Sequence, residues 1–222
     1  MNWSRDLKTS PTLWFAPIWI ALLLPRIDLA LSQAFYDSSA GFTWARSGAF
    51  EFIRALGPDI IIGSLVLCIA LYLMSLLSSR WIWRITPKRI VYLGLTLLIG
   101  PGLIVETLLK PHWGRARPRE VSAFGGAMEY TPAWQPANQC DGNCSFVSGH
   151  AAVAFWLTAY AFILPPRWRA PMICLGIVLG FAMGFVRVAQ GAHFISDVAT
   201  AGFLVLLVNE VLARRMFQPV TL

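Results

Sequence analysis

Lys110, Arg117 and Arg187 are three cationic side chains in a chain that also carries Ser148-Gly149-His150 and a His193/Asp197 pair four residues apart. Brought together, residues of these types suit phosphate chemistry. Arginine forks bind phosphate oxygens bidentately, and lysine adds a compact point charge. A phosphate monoester carries about −1.5 to −2 near neutral pH. Lys110, Arg117 and Arg187 set against Asp197 leave +2 for it, before Arg115 and Arg119 are counted. Taken singly, each cation could equally anchor a helix end to lipid headgroups. Anchoring does not account for the histidines and the aspartate.

Ser148 is a favoured N-cap, and the free N–H groups of a helix start near Ser148 and Gly149 form an anion site. His150 would then stand in the first turn beside a bound phosphate; an interfacial histidine bonded to a loop carbonyl is the alternative. On a helix His193 and Asp197 share a face, so the carboxylate can accept a hydrogen bond from one imidazole nitrogen. That fixes the tautomer and leaves the other nitrogen for attack, the logic of an activated nucleophile. The alternative is a structural His–Asp pair, although ionisable residues are costly inside a membrane.

The elements that must position these residues are apolar blocks. Of 222 residues 57% are hydrophobic and 13% charged, against roughly 25% charged in an average soluble domain. A membrane span needs roughly 17 to 25 predominantly apolar residues, and six blocks qualify: about 12–31, 57–79, 89–110, 148–166, 171–189 and 193–213. The expected fold is all-α, a single-domain six-helix membrane bundle. Arg26 and Asp28 fall in the first block, where they can snorkel or pair near one end. That block follows Arg5 and Lys8 but lacks a clean small-residue cleavage site, so it is expected to be an uncleaved helix. Gly176, Gly180 and Gly184 form a small-xxx-small ridge for close helix packing. Arg187 continues that face, so it should point inward and require an anionic partner.

The net charge is +7, but the cations form no stripe with interleaved aromatics, which excludes a nucleic-acid partner. Most of them flank the apolar blocks. Arg5 and Lys8, then Arg80, Arg84, Lys88 and Arg89, then Arg167 and Arg169, then Arg214 and Arg215 fall on one side of a six-helix topology. The positive-inside rule makes that side the cytoplasm, with both termini inside. Lys110–Arg117, Ser148–His150 and Arg187–Asp197 then share the opposite side.

Lys110-Pro-His-Trp-Gly-Arg-Ala-Arg117-Pro118, Ser148-Gly149-His150, and Arg187 with five residues before His193 and three more before Asp197 resemble the type 2 phosphatidic acid phosphatase family. Its pattern is K-x6-RP, PSGH and SR-x5-H-x3-D. Val147 stands in place of the usual proline, and Val186 in place of a serine near the phosphate site. The resemblance implies metal-independent, cofactor-free hydrolysis of a lipid phosphate through a phosphohistidine. His193 would attack phosphorus, oriented by Asp197, and His150 would protonate the leaving oxygen and later activate water. Lys110, Arg117, Arg187 and the amides near Ser148 and Gly149 would bind the phosphate oxygens, with His112 and Arg115 in supporting roles at most.

The implied partner is a phosphorylated lipid: phosphatidic acid, phosphatidylglycerol phosphate, undecaprenyl diphosphate or the lipid A class. The implied location is a bacterial cytoplasmic membrane with the site on its periplasmic face. In that oxidising compartment Cys140 and Cys144 could close a small disulfide, while Cys68 and Cys174 read as packing residues. Trp113, Phe124, Tyr130 and Trp134 could border a lipid entrance or form an aromatic belt. Three other readings stay open: a lipid-to-lipid phosphotransferase of the same fold, a non-catalytic lipid-binding or transport protein, and a metallohydrolase built from His112, His150, His193 and Asp197.

Overall fold

A computed structural model describes residues 10–78 and 86–217. The chain is mostly helical. α1 (Pro11–Leu22) and α2 (Pro25–Gln33) lead through a hairpin, β1 (Tyr36–Asp37) with β2 (Gly41–Phe42), to α3 (Gly48–Ser78). α4 (Pro87–Leu97) continues through a π-helical stretch, Leu98–Leu109, into a last turn, α5 (Lys110–His112). A long loop precedes α6 (Gly149–Phe155), which a 3-10 stretch, Trp156–Phe162, extends. α7 (Arg169–Ala189) and α8 (Ile195–Phe217) complete the bundle.

Among the described residues four helices are long and apolar enough to cross a membrane: Gly48–Leu77, Pro87–His112, Pro166–Ala189 and Ile195–Phe217. α1 and α2 make a fifth if their 72° bend lies within one span. Large aliphatic side chains such as Val66, Leu67, Leu73, Leu98 and Val178 stand exposed on the outer faces of these helices, as lipid contact requires. This is an integral membrane protein. The short β-hairpin is an addition to the all-α expectation.

Two of the six expected spans take other forms. The first is broken because Leu24 is extended (ψ 124°) before Pro25, a consequence of the clash that keeps residues before proline out of the helical region. The segment expected to span 148–166 is α-helical for seven residues and 3-10 for the next seven. Its Ala151, Ala152, Ala154, Phe155, Trp156, Ala159 and Ala161 are all completely buried. It meets protein over most of its surface, with Val153, Leu157 and Tyr160 half-buried, and it is the central post of the bundle.

The glycine ridge of α7 makes this packing close. A Cβ built on Gly180 would lie 2.3 Å from Phe155, one on Gly176 2.5 Å from Thr158, and one on Gly184 2.2 Å from Val198. The ridge therefore serves packing, as expected from its spacing.

α1 and α2 follow α8 from one end to the other. Ser10 Oγ donates to Glu210 Oε2 (2.7 Å) near the end of α8, and Trp19 stacks on Phe203 (4.1 Å between centroids) near its middle. Asp28 reaches Ser196 at its start. Five of the cations expected at the cytoplasmic side fall in the described residues near helix ends remote from Lys110, Arg187 and Asp197: Lys88, Arg89, Arg169, Arg214 and Arg215. Arg167 lies just before α7. Arg5, Lys8, Arg80 and Arg84 lie outside the described residues.

Candidate active site

The helix ends at the opposite pole converge on one polar cavity of about 290 Å³. α5 supplies Lys110, the long loop Arg117, Arg119 and Asn143, and α6 His150. The end of α7 supplies Arg187 and the following turn His193, while Glu51 and Arg54 of α3 close the remaining side. Lys110, Arg117, His150, Arg187 and His193, read from widely separated stretches of sequence, are thus brought together. Asp197, Ser148 and Gly149 stand behind the cavity wall.

His193 is buried, and its Nδ1 lies 2.6 Å from the carbonyl oxygen of Ser145. A carbonyl only accepts, so Nδ1 carries the proton and Nε2 is left with a free lone pair. This corrects the expected direct hydrogen bond to Asp197. Asp197 Oδ2 is 3.7 Å from Nδ1, beyond hydrogen-bond reach. The two groups are joined through Ser145, whose hydroxyl donates to Asp197 Oδ2 at 2.6 Å. The Phe194 amide donates to the same oxygen at 2.9 Å. Asp197 keeps its negative charge near the imidazole without holding the ring.

Arg115 carries more of the site than its place in the motif suggests. It is completely buried, and its guanidinium donates to Asp197 Oδ1, Asp28 Oδ2 (2.8 Å) and Ser196 Oγ (2.9 Å). Its Nε donates to the Thr131 carbonyl at 2.9 Å. Burial alone would weaken its hold on its proton, but Asp197 and Asp28 outweigh that, and its pKa is raised. Arg117, on the cavity side, has a lowered pKa because of burial and, next, the charge of Arg119. Its NH2 donates to the Asn143 carbonyl at 2.7 Å.

The inward direction expected of Arg187 holds, but its direct partner is an amide. Its NH1 donates to Gln190 Oε1 at 2.5 Å, and Gln190 Nε2 donates to Glu51 Oε1 at 2.8 Å. Lys110 Nζ rests between the oxygens of Glu106 at 2.9 and 3.0 Å. A Cβ on Gly149 would lie 1.8 Å from Glu106 Oε1 and 3.3 Å from Lys110 Nζ, so this ion pair packs directly against the start of α6. Ser148 occupies the N-cap position without a side-chain capping bond. Its buried Oγ has no hydrogen-bond partner among the described residues.

His112 does not line the cavity. Its Nδ1 lies 2.8 Å from the Leu108 carbonyl, so the four residues of the metallohydrolase reading do not converge. Among the described residues no three His, Cys, Asp or Glu side chains form a metal-binding group.

The loop is held by packing. Trp113 stacks on Phe146 (4.5 Å), Phe124 packs on Phe42 (5.6 Å), and Tyr130 meets Phe194 edge-on (5.3 Å). Of the four aromatics expected at a lipid entrance or belt, Trp134 is the one that stands exposed. Gly114 has φ +67° and lies against the Ala137 carbonyl, where a Cβ would collide; a positive φ at such close quarters calls for glycine. Cys140 and Cys144 are joined as a disulfide. Thiol titration of the unfolded, unreduced protein is expected to find two free thiols per chain, Cys68 and Cys174, and all four after reduction. Four without reductant would show that the loop is not cross-linked.

Asp28, Arg115, Ser145 and Glu51 are the contributors that sequence reasoning passed over or undervalued. A carboxylate within an apolar block was a usable signal for Asp28. Ser145 carried none, because it acts partly through its backbone.

A sequence model of the PAP2 superfamily matches residues 89–218, a region that includes Lys110, Arg117, His150, Arg187 and His193. A lipid A 4'-phosphatase of Francisella tularensis subsp. novicida is 34% identical over 203 residues, covering 90% of this chain and 91% of the relative. Lipid A 4'-phosphatases of Rhizobium etli and Rhizobium leguminosarum are each 33% identical. They cover 88% and 84% of this chain, and 80% and 85% of their own lengths. No solved structure matches significantly. The motif residues that meet in the cavity lie inside the matched region, and the relatives extend over nearly the whole chain: it belongs to the PAP2 superfamily.

Proposed function

We propose that this protein hydrolyses a phosphate monoester on a lipid of the lipid A class, at the periplasmic face of the bacterial inner membrane, through a phosphohistidine at His193. The observation that carries the reading is the hydrogen bond from His193 Nδ1 to the Ser145 carbonyl, which frees Nε2 in a cavity ringed by cations. Nε2 attacks phosphorus, and the P–N bond forms as the P–O bond to the lipid breaks. The leaving oxygen takes a proton from His150. Water then attacks phosphorus, gives a proton to His150 and releases phosphate as the P–N bond breaks. Lys110, Arg117 and Arg187 stabilise the equatorial oxygens throughout.

The lipid part of the reading rests on a second, apolar cavity of about 440 Å³, whose lining adjoins that of the first along α3, α6 and α7. Ile53 and Gly57 flank Arg54 on α3, Ala154 follows His150 by one turn, and Met183 and Val186 precede Arg187. Val186, the departure from the family's serine, faces this apolar space. A phosphate in the upper cavity would therefore leave its acyl chains at bilayer depth. Lipid A is favoured within the lipid phosphates because the relatives matched along most of the chain are lipid A 4'-phosphatases.

The topology rests on helix directions. α7 returns from the pole opposite the site, so residues 149–162 must run the length of the bundle to reach its start. α1 with α2 runs antiparallel to α8. In this proposal the chain crosses six times, with the described cationic helix ends cytoplasmic by the positive-inside rule. Because the substrate charge is met by Arg54, Lys110, Arg117, Arg119 and Arg187, no metal is needed to neutralise it.

Purified protein in detergent is expected to release inorganic phosphate from lipid A with no acceptor lipid, undiminished by excess chelator. Turnover that appears only with an added acceptor lipid, or that chelation abolishes, would overturn this reading.

A further inference from the structure

The cluster behind the nucleophile reaches a helix that the family match does not include. Asp28, on α2, lies outside residues 89–218 and is completely buried. Its carboxylate accepts from four groups: Arg115 NH2 (2.8 Å), Tyr130 Oη (3.1 Å), Ser196 Oγ (2.6 Å) and the Ser196 amide (2.9 Å). Two of these partners, the guanidinium and the Ser196 amide, can only donate, and with both hydroxyls also turned to the carboxylate the arrangement suits its ionised form. Arg115 bridges it to Asp197, so one guanidinium stands between two carboxylates and the buried group keeps a net negative charge.

That residual charge faces His193. When Nε2 bonds to phosphorus the imidazole becomes cationic, and Asp197, 3.7 Å from Nδ1, stabilises it only as far as its own charge is not cancelled by Arg115. Asp28 takes up part of Arg115. We infer that Asp28 is a positioning residue for the His193 nucleophile, acting through Arg115 to keep Asp197 both fixed and effectively anionic. The N-terminal helices are thus part of the catalytic apparatus as well as a candidate membrane span. This inference rests on the proposed role of His193 as nucleophile.

Asp28→Asn keeps the size of the side chain and removes its charge. The full charge of Arg115 then falls on Asp197, and His193 loses support in its cationic form. The expected result is a fall of roughly tenfold or more in kcat with KM within about twofold, because Lys110, Arg117 and Arg187 bind the phosphate from the cavity side. The acidic limb of the kcat profile, where His193 must lose its proton, is expected to move to lower pH. His193 is faced by Asp197 from α8, Arg115 and Arg117 from the loop, His150 from α6, Arg187 from α7, Lys110 from α5, and Glu51 and Arg54 from α3. These are the same in both proteins, so the shift reports on Asp28.

An Asp28→Asn protein with wild-type thermal stability whose acidic limb has not moved, or whose kcat is unchanged, would overturn the inference. Should that variant fail to fold, Ser196→Ala is read instead. It removes the hydroxyl that donates to Asp28 and accepts from Arg115 without changing charge. A fall of about threefold or more in kcat at unchanged KM supports the inference, and an unchanged kcat overturns it. Loss of all activity in His193→Gln is a separate control: if that variant remains active, the nucleophile assignment fails before Asp28 is at issue.

Discussion

His193→Ala is expected to lower kcat for phosphate release by about four to six orders of magnitude, the range seen when a nucleophile acting as part of a coupled unit is removed. The size follows from the geometry. Nε2 of His193 is the nucleophilic lone pair that the hydrogen bonding leaves free at the cavity, because Nδ1 is committed to the Ser145 carbonyl. Without it the cations still bind phosphate but nothing forms the P–N bond. KM should therefore change little while kcat collapses. Folding is expected to survive, since His193 sits in a turn before α8 and its one strong hydrogen bond is to a loop carbonyl. Phosphate release assayed alongside a thermal melt checks both halves of the statement.

Arg187→Ala is expected to cost about 10²- to 10³-fold in kcat, the range for removing one preorganised charge-stabilising donor. Arg187 is 8% exposed, lines the cavity and has its free-state direction fixed by Gln190, which Glu51 holds in turn. The guanidinium is thus aimed before substrate arrives, so its stabilisation comes with little reorganisation. Arg187→Lys should recover only part of the loss, because an ammonium offers no planar fork. Gln190→Ala, which removes the aiming but not the charge, should fall between wild type and Arg187→Ala. Single-turnover rates of the three variants test that order.

The parts of the site that were legible in sequence are those fixed by residue type at helix ends. Lys110, Arg117, His150, Arg187 and His193 are chemically distinctive, they flank apolar blocks, and charge asymmetry alone groups them on one side of the membrane. The structure brings them to one cavity, as that expected grouping requires.

What sequence did not carry has specific causes. The carbonyl of Ser145 belongs to the backbone, so no residue type announces it. Asp28 lies 168 residues from Ser196, and only the tertiary fold could pair them. The i, i+4 spacing of His193 and Asp197 suggested a direct bond, but His193 precedes the first turn of α8, which displaces the imidazole toward Ser145. The 3-10 stretch Trp156–Phe162 escaped because a largely apolar, mostly buried segment gives little pattern to separate one helical form from another. The break before Pro25, by contrast, was readable from proline chemistry, yet the apolar run across it masked the bend.

The most direct test is to locate the phosphoryl group during turnover. Protein mixed with phosphate-labelled lipid A, quenched in alkali within a few turnovers and digested, should yield one labelled peptide, the one containing His193. The label should be stable in base and lost in acid, and absent from His193→Gln. Label on any other residue, or continued turnover with no labelled peptide at any quench time, would contradict a phosphohistidine at His193.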